Sequence, residues 1–251
     1  GKTTSMNAIS MFIPPRSKVL TIEDTQEIRL HHDNWLSAVT RENVGEGSNV
    51  DMYELLRSAL RHRPEYIIVG EVRGREAMTL FQAMNTGHTT YSTMHADSIQ
   101  TVINRLENDP INVPRAMIQS LDILAVQRIS HIGGERVRRT RTVSEIIGID
   151  QRSGDLDYQS IFTWEPGEDT FGSSITQSHV LQEIQDEHGW SRSDLRTEIR
   201  NRMQVLRYAQ ERNVTDYQAF TAMINEYYTD PGSVLDRIED SLDADARARL
   251  D

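Results

Sequence analysis

The sequence lacks cysteine and has very little lysine. Lys2 and Lys18 are the only lysines among its 251 residues, and all other basic residues apart from histidine are arginine. The absence of cysteine excludes disulfide bonds and metal sites with thiolate ligands, and it fits a reducing compartment. The formal net charge is −11. Excess acid with scarce lysine is typical of proteins from salt-loving microbes, whose surface carboxylates stay hydrated in concentrated salt; an ordinary acidic protein is the alternative.

Long apolar runs are absent as well. The longest ones, such as Tyr66–Val69 and residues 123–126, are far shorter than the roughly 20 apolar residues that a membrane-spanning helix needs. We therefore expect no direct membrane insertion. Nucleic acid is also not the expected ligand, because a nucleic-acid site needs a basic surface and this chain is acidic.

Strands and helices alternate through the first part of the chain. Strands are predicted for KVLTIED, EYIIVGEV and TTYSTMHA, and helices for residues 3–13, DMYELLRSALRHRP, GREAMTLFQAMNTGH and SIQTVINRLEND. Asp51 and Ser98 are the expected starts of two helices, and Gly87 is expected to end another. The segments HHDNWLSAVTREN and VGEGSN are interpreted as polar connections. This alternation predicts an α/β fold with a mostly parallel sheet.

An antiparallel region and a helical region follow. After a short helix near Arg115, strands are predicted over Ile123–Ile132, ERVRRTRTVSEIIGID and YQSIFTW, with Gly133-Gly134 as a two-residue hairpin turn. From about Glu165 the sequence turns to acidic loops and to helices over residues 178–188, 191–212, 216–228 and 232–241. We therefore predict an α/β domain over residues 1–164 and a C-terminal acidic and helical region over residues 165–251.

The helix predicted over residues 191–212 has an apolar face. Leu195, Ile199, Met203 and Leu206 fall on one side of it at helical spacing. An amphipathic helix needs such a face to pack on a neighbour.

The first residues match the end of a phosphate-binding loop. Gly1, Lys2 and Thr3 fit the last positions of G-x-x-x-x-G-K-[ST] and lead directly into a predicted helix. In such loops the lysine contacts the β- and γ-phosphates, and the hydroxyl binds Mg²⁺ at a helix N-terminus. A tripeptide of this kind also occurs by chance, so its weight depends on the residues that share its edge of the sheet.

Acidic residues follow two of the predicted strands. Glu23 and Asp24 end one strand, and Glu71 comes just after another. Because parallel strands end at one edge of a sheet, these carboxylates are expected to meet there. Taken singly, each could be an exposed acid at a strand end, but three on one edge favour a site.

Two histidines bracket the strand in TGHTTYSTMHADS. His88 precedes it and His95 lies near its end. Their spacing is not that of a helical zinc site, and no cysteine completes one. Both a polar role near a γ-phosphate or a subunit joint and a purely structural role remain open for this pair.

Taken together, these motifs resemble those of a known family. GKTT, IEDTQEIRL, YIIVGEVRG and TGHTTYSTMHA, in this order and spacing, are similar to the secretion ATPases of the type II/type IV superfamily. The resemblance covers residues 1–148, and the C-terminal pattern is also similar to archaeal members. With the acidic, lysine-poor composition it indicates an archaeal, haloarchaeal member. It implies a RecA-like P-loop NTPase core, mostly parallel with antiparallel edge strands, followed by a C-terminal helical region.

The resemblance implies roles at the phosphate-loop end. It places Gly1, Lys2, Thr3 and Thr4 in a Walker A loop, with Lys2 on phosphate, Thr3 on Mg²⁺ and Thr4 near the α-phosphate of ATP.

It also implies roles for the acidic residues and the histidines. Glu23 and Asp24 fall in the acidic box, and Glu71 is the Walker B glutamate that polarises the attacking water. His88 and His95 fall in the histidine box. Gly70 stands where many phosphate-loop enzymes have an aspartate, so we assign Glu23 as the acid that supports Mg²⁺, directly or through water.

Arginines complete the implied site. Arg29 and Arg41 match positions where the family supplies arginines across a subunit joint, where they act on the developing phosphoryl charge. Arg73 is a third candidate, with a structural ion pair as its alternative.

The resemblance also implies that this chain is an N-terminally truncated fragment that begins inside its Walker A loop. A first strand, the glycine-rich half of the loop and a further domain would lie upstream. We expect the isolated fragment to bind ATP poorly or not at all.

The function implied is that of a hexameric motor that hydrolyses ATP to ADP and phosphate. It would act on a polytopic membrane platform protein and would be cytoplasmic, joined to the membrane through that partner. One alternative is a RecA-like ring that translocates nucleic acid, which the arginines of ERVRRTR favour, although a strand would split them between two faces. A non-catalytic interaction module is another.

Overall fold

The computed structural model describes residues 1–41 and 49–248, with side chains described as far as Ser241. The chain divides into two compact units. The sheet unit comprises Gly1–Asn7, Ser17–Arg29 and Asn34–Val180, and the helical unit comprises Ala8–Arg16, Leu30–Asp33 and Leu181–Asp251. The predicted domain boundary after Trp164 stays a prediction, because a compact unit is not by itself an independently folding domain. Most of the predicted connection VGEGSN lies outside the described residues.

The helices agree closely with the sequence pattern. They are α1 (Lys2–Ser10), α2 (Met52–Arg61), α3 (Glu76–Asn85), α4 (Ile99–Glu107), α5 (Arg115–Ile118), α6 (His179–His188), α7 (Arg192–Glu211), α8 (Tyr217–Thr229) and α9 (Pro231–Ala248). A 3₁₀ turn covers Ile175–Gln177. Each predicted helix is present, and the last one extends further than predicted.

The strands are β1 (Val19–Glu23), β2 (Trp35–Val39), β3 (Tyr66–Val69), β4 (Thr89–Ser92), β5 (Ile123–Ile132), β6 (Glu135–Ile149), β7 (Leu156–Glu165) and β8 (Thr170–Ser173). They form a parallel sheet in the order β2-β1-β3-β4 and an antiparallel sheet in the order β5-β6-β7-β8. The predicted α/β class is therefore confirmed. In the described chain, the antiparallel strands form a sheet of their own instead of extending the parallel one.

The central strands of the parallel sheet are apolar because they are covered on both faces. All residues of β1 are buried, and so are Ile67, Ile68 and Val69 of β3. The core of the sheet unit joins these strands to α2, α3 and α4 and to Leu124 and Ile146 of the antiparallel sheet. Strands that are buried in this way read as continuous β-branched runs, which is why the sequence pattern found them.

Strand β2 corrects a prediction. The segment HHDNWLSAVTREN was interpreted as a connection, but Trp35–Val39 pairs in parallel with β1. The prediction was wrong because β2 is an edge strand with Leu36, Ser37 and Val39 exposed, so that it lacks a continuous apolar run. The Trp35 Nε1–H donates to Thr21 Oγ1 at 3.0 Å and anchors the start of the strand.

The predicted hairpin is confirmed. Gly133 and Gly134 join β5 to β6 with φ angles of 57° and 87°, as a two-residue turn of this kind requires. Strand β7 follows as predicted, but β8 lies where acidic loops were predicted, and all four of its residues are exposed. An exposed edge strand carries little apolar signal in its sequence.

Capping residues define where three of the helices around the sheet begin or end. Asp51 accepts a hydrogen bond from the backbone N–H of Glu54 at 2.8 Å, and Ser98 accepts one from Thr101 at 3.2 Å. Gly87, with φ of 89°, follows the end of α3. These three predictions are confirmed.

The helical unit is built on α7, α8 and α9. Its core contains Val205, Ala209, Ile224, Tyr227 and Val234. A capping box at Ser191 and Asp194 starts α7.

The apolar face predicted for α7 is not the one that packs. Met203 and Leu206 are 46% and 41% exposed, whereas Val205 and Ala209 are buried. The neighbours that α7 meets, and not its own apolar stripe alone, select the buried side. No helix within residues 1–41 and 49–248 is long and apolar enough to cross a membrane.

Candidate functional site

The carboxyl edge of the parallel sheet brings several predicted residues together. Ile22 of β1 lies beside Val69 of β3, which lies beside Ser92 of β4. The chain therefore leaves all three strands at one level of the sheet. Glu23 with Asp24, Glu71 and His95 follow those positions, so the convergence expected from the sequence is present.

Glu23 is the most deeply buried acid of this edge. It is 2% exposed, and its Oε1 accepts the backbone N–H groups of Glu27 and Ile28, each at 2.9 Å. Its Oε2 is buried and has no hydrogen-bond partner in the described structure. A buried carboxylate oxygen without a donor is costly, so a cation or a donor at this atom would be strongly favoured.

Gly70 makes room for Glu23. A Cβ atom on residue 70 would lie 3.1 Å from Glu23 Cγ and 3.7 Å from its Cα. Such a contact is tighter than nine in ten real ones, so a larger residue would require the Glu23 side chain to shift by a few tenths of an ångström. Glycine at this position is therefore explained by close approach and not only by the absence of a second acid.

Glu71 lies at the centre of a charged cluster. Its carboxylate is 2.8 Å from the Arg73 guanidinium and 3.4 Å from His95 Nε2, and its side chain is 17% exposed. Partial burial raises the pKa of Glu71, but the hydrogen bond from Arg73 and the charges of Lys2, Arg73 and His95 outweigh it and hold the pKa below its ordinary value. Glu71 is therefore ionised at neutral pH.

Arg73 joins two of the predicted acids. Besides Glu71 it contacts Asp24 at 3.5 Å, and Asp24 accepts a hydrogen bond from Thr40 at 3.1 Å. The Arg73 side chain is 65% exposed. An ion pair this open contributes little to stability, so its main effect is on the charge of its partners.

Lys2 carries a buried ammonium that has no hydrogen bond to any described residue. Burial lowers the pKa of Lys2, the nearby Glu71 raises it, and Arg73 lowers it again, with a lowered pKa as the result. Lys2 is also the first residue of α1, so that helix N–H groups lie beside a poorly solvated ammonium. Both features favour an anion at this position.

The other residues of the loop end have fewer contacts. Thr3 is half-buried and Thr4 is exposed. Gly1 lies against Gln127 of β5, whose Oε1 is 3.6 Å from the position of a Cβ on Gly1.

Three predicted residues do not join the cluster. His88 lies at the amino end of β4, where its Nδ1 is 3.3 Å from both the Ala83 carbonyl oxygen and Thr86 Oγ1. Arg29 and Arg41 are exposed, and neither forms an ion pair with a described residue.

Sequence reasoning missed two side chains that shape the site. Asn7 is buried, donates to the Glu27 carbonyl oxygen at 3.2 Å and accepts the Arg29 N–H at 2.8 Å. Glu76 is buried and accepts the N–H groups of Arg73 and Gly74 at 2.6 and 2.8 Å. Each belongs to a helix, where the pattern assigns a capping or a surface role. The one signal in the sequence that could have pointed to them is a polar residue within an otherwise buried turn of a helix.

The oxygen atoms at this edge suit a hard cation that is bound partly by the protein and partly by a substrate. Within the described residues, no group of three or more His, Asp or Glu side chains could hold a metal ion alone. Magnesium is usually held by one or two protein oxygens together with phosphates. The unpartnered Glu23 Oε2 and the Thr3 hydroxyl fit that kind of site.

Comparisons with known proteins identify the family. The family model for type II/IV secretion system proteins matches residues 1–211. An uncharacterized protein of Methanocaldococcus jannaschii is 42% identical over 228 residues, which make up 90% of this chain and 84% of that protein. The type IV secretion system protein PtlH of Bordetella pertussis is 38% identical over 155 residues, 55% of this chain and 44% of PtlH.

One solved structure in the comparison is the VirB11 ATPase of the Brucella suis type IV secretion system in complex with sulphate. It has 28% identity and a TM-score of 0.48, over 57% of this chain and 45% of that one. This chain thus spans less than half of both PtlH and the VirB11 ATPase. Because the family model covers most of its length, the chain belongs to the type II/IV secretion system protein family.

Proposed function

We propose that this protein is the ATP-hydrolysing motor of a type II/IV-like machine that assembles a pilus or archaellum or secretes protein. The observation that carries the proposal is the buried, unpartnered Lys2 Nζ beside the ionised Glu71. A lone buried ammonium at the start of a helix needs an anion, and a carboxylate next to it can receive a proton. Family membership supports the same conclusion.

In this proposal the cluster divides the work on ATP. Lys2 binds a phosphate oxygen, and the N–H groups at the start of α1 bind others, with Gly1 and Thr4 beside them. Glu71 orients the attacking water and accepts its proton. His95, 3.4 Å from Glu71, holds the second side of that carboxylate. Its lowered pKa keeps Glu71 ionised at neutral pH, so that it can accept a hydrogen bond from the water and then take its proton.

Mg²⁺ is proposed at Thr3 and Glu23. The bound ion would neutralise charge on the phosphates and polarise them. Glu23 would offer its unpartnered Oε2, directly or through water, while its Oε1 holds the turn after β1. Asp24, the next residue along the chain, forms an ion pair with Arg73.

Arg29 and Arg41 are proposed to act in the site of a neighbouring subunit. Both are exposed and have no described ion-pair partner, which suits residues that meet charge only after assembly. A homohexamer would place one subunit's arginines at the next subunit's phosphates. For His88, the contacts with Ala83 and Thr86 support the structural role that its sequence position left open.

The proposed partner is a polytopic membrane platform protein, and the proposed location is cytoplasmic and peripheral to the membrane. The arginines of β6 give the nucleic-acid alternative limited support. Arg138 shares a face with Ile129, while Arg139 faces the other way, opposite Arg128, and is ion-paired with Asp169 at 2.7 Å. The arginines are therefore divided between two faces, and one of them is already used in an ion pair.

Steady-state ATP hydrolysis by the full-length protein, in high salt with Mg²⁺, tests the proposal. Glu71→Gln should lower kcat by about 10²- to 10⁴-fold while ATP still binds, because the side chain keeps its size but loses its charge and its ability to accept the proton. Glu65→Gln is the matched control, since Glu65 holds the opposite edge of the same sheet. Equal turnover in wild type and Glu71→Gln would contradict the role of Glu71, and a wild-type protein without turnover would contradict the proposed function.

A further inference from the structure

The turn between β3 and α3 is built around one buried carboxylate. Glu76, the first residue of α3, is 8% exposed. Its Oε1 accepts two backbone N–H groups of that turn, from Arg73 at 2.6 Å and from Gly74 at 2.8 Å. Hydrogen bonds from N–H groups to an ionised oxygen are among the stronger ones in proteins. The carboxylate therefore fixes the main chain of residues 73 and 74.

Gly74 allows the carboxylate to come this close. A Cβ on residue 74 would lie 3.2 Å from Glu76 Oε2, a contact that would push the carboxylate away. The turn thus combines a small residue with an acid that curls back over it.

The other side of the turn is held by Thr93. The Val72 N–H donates to the Thr93 carbonyl oxygen at 2.8 Å, and Thr93 Oγ1 donates to the Gly70 carbonyl oxygen at 2.7 Å. Residues 70 and 72 are therefore held by Thr93, the residue that follows β4, and residues 73 and 74 by Glu76. Between these anchors the turn has little freedom.

The side chain that benefits is that of Arg73. It is 65% exposed, so the direction of its guanidinium depends largely on its main chain. That guanidinium lies 2.8 Å from Glu71 and 3.5 Å from Asp24. A change in the turn would therefore alter both of these contacts.

We infer that Glu76 is a positioning residue for ATP hydrolysis, which holds the Arg73 guanidinium against Glu71. The inference rests on the proposed function for its effect on turnover. An acid in the first turn of a helix also stabilises the helix itself. However, the two N–H groups whose hydrogen bonds Glu76 accepts belong to the turn, and one of them is that of Arg73, which pairs with Glu71.

The test compares Glu76→Ala and the conservative Glu76→Gln with a matched control, Glu145→Ala. Glu145 is equally buried, at 4% exposed, and its carboxylate likewise accepts a backbone N–H, that of His179 at 2.7 Å, in the antiparallel sheet. It has no contact with the cluster around Glu71. We expect Glu76→Ala to lower kcat by about 10- to 100-fold with a much smaller change in KM, and Glu76→Gln to restore most of that loss.

The pH profile separates positioning from simple loss of stability. Arg73 keeps the pKa of Glu71 low, so its displacement raises that pKa, and the acid limb of the kcat profile moves to higher pH in Glu76→Ala. Glu76→Gln should shift the limb less, and Glu145→Ala should not shift it. An unshifted limb in both Glu76 variants, or an equal kcat loss in Glu145→Ala, would overturn the inference.

A carboxyl NMR titration of Glu71 decides the same point without turnover. The pKa of Glu71 should rise in Glu76→Ala and stay at the wild-type value in Glu145→Ala. If the wild type hydrolyses no ATP, the proposed function fails, yet a raised pKa would still support the link from Glu76 to Glu71. An unchanged pKa would overturn that link even in an active protein.

Discussion

The amino edge and the carboxyl edge of the parallel sheet each carry a lysine, a glutamate and a histidine. At the amino edge the fold uses their polar atoms, whereas at the carboxyl edge some of those atoms have no partner in the described chain. At the amino edge, Lys18 Nζ donates to the His62 carbonyl oxygen at 2.8 Å. Glu65 accepts the Lys18 N–H and the Ser17 hydroxyl, each at 3.1 Å. His88 rests on the end of α3. Every one of these groups is used by the fold itself.

At the carboxyl edge the corresponding residues are not used up. Lys2 Nζ and Glu23 Oε2 are buried without partners in the described chain, and Glu71 is paired only with exposed cations. Buried polar groups are nearly always satisfied, so unsatisfied ones need a reason. The comparison teaches that residue type does not distinguish a site from a strand end. What distinguishes them is which atoms the fold leaves free.

Of the substitutions that test this difference between the two edges, Gly70→Ala should have the largest effect, on kcat. In Gly70→Ala the new Cβ would lie 3.1 Å from Glu23 Cγ, so the Glu23 side chain has to shift by a few tenths of an ångström. A displacement of about 1 Å at a reacting group costs about 100-fold, so this smaller shift should lower kcat by about 10-fold. Steady-state kinetics would measure it, and Gly167→Ala is the control, because a Cβ there meets no atom within 4 Å. Unchanged kcat in Gly70→Ala would mean that the position of Glu23 does not matter.

A smaller effect, on stability alone, is expected at the amino edge. Glu65→Gln weakens two hydrogen bonds between the residue just before β3 and the two residues just before β1, so the free energy of unfolding should fall by about 1 kcal/mol. Because this edge faces no substrate in our account, kcat should stay at the wild-type value. Urea unfolding and hydrolysis assays measure the two quantities. A large loss of kcat would contradict the claim that the amino edge contributes to stability alone.

The smallest effect concerns pH. The folded pKa of Glu71 lies below its reference value of 4.5, so its ion pairs stabilise the folded state above that pH. This contribution should be lost as the pH falls from about 4.5 through the folded pKa. Unfolding free energies of wild type and Glu71→Gln should therefore converge as the pH is lowered through this range. A difference that stays constant with pH would contradict the lowered pKa.

Much of this arrangement could be predicted from the sequence. Apolar strands that end in Glu23 and Glu71 follow from a parallel sheet whose strands are covered on both faces. Edge strand β2 and exposed β8 could not be predicted, because partial exposure removes the apolar pattern. The roles of Gly70 and Glu76 depend on contacts between side chains and a turn, and no local pattern encodes those.

The site was likewise predictable in its members but not in its connections. The motif order named Lys2, Glu71 and His95, and the structure brings them together. It left an ion pair open for Arg73 and put His88 before the strand, but it could not indicate that Arg73 would join Asp24 to Glu71 or that His88 would contact Ala83 and Thr86. Those outcomes depend on where each strand begins and ends relative to its neighbours.

The most direct test of the central claim uses the two lysines of this chain. ATP affinity of the full-length protein would be measured for wild type, Lys2→Ala and Lys18→Ala in high salt with Mg²⁺. Our account predicts at least a tenfold loss in Lys2→Ala, about 1.4 kcal/mol or more, and wild-type affinity in Lys18→Ala. Equal affinities in both variants would contradict the claim that the free atoms of the carboxyl edge form the nucleotide site.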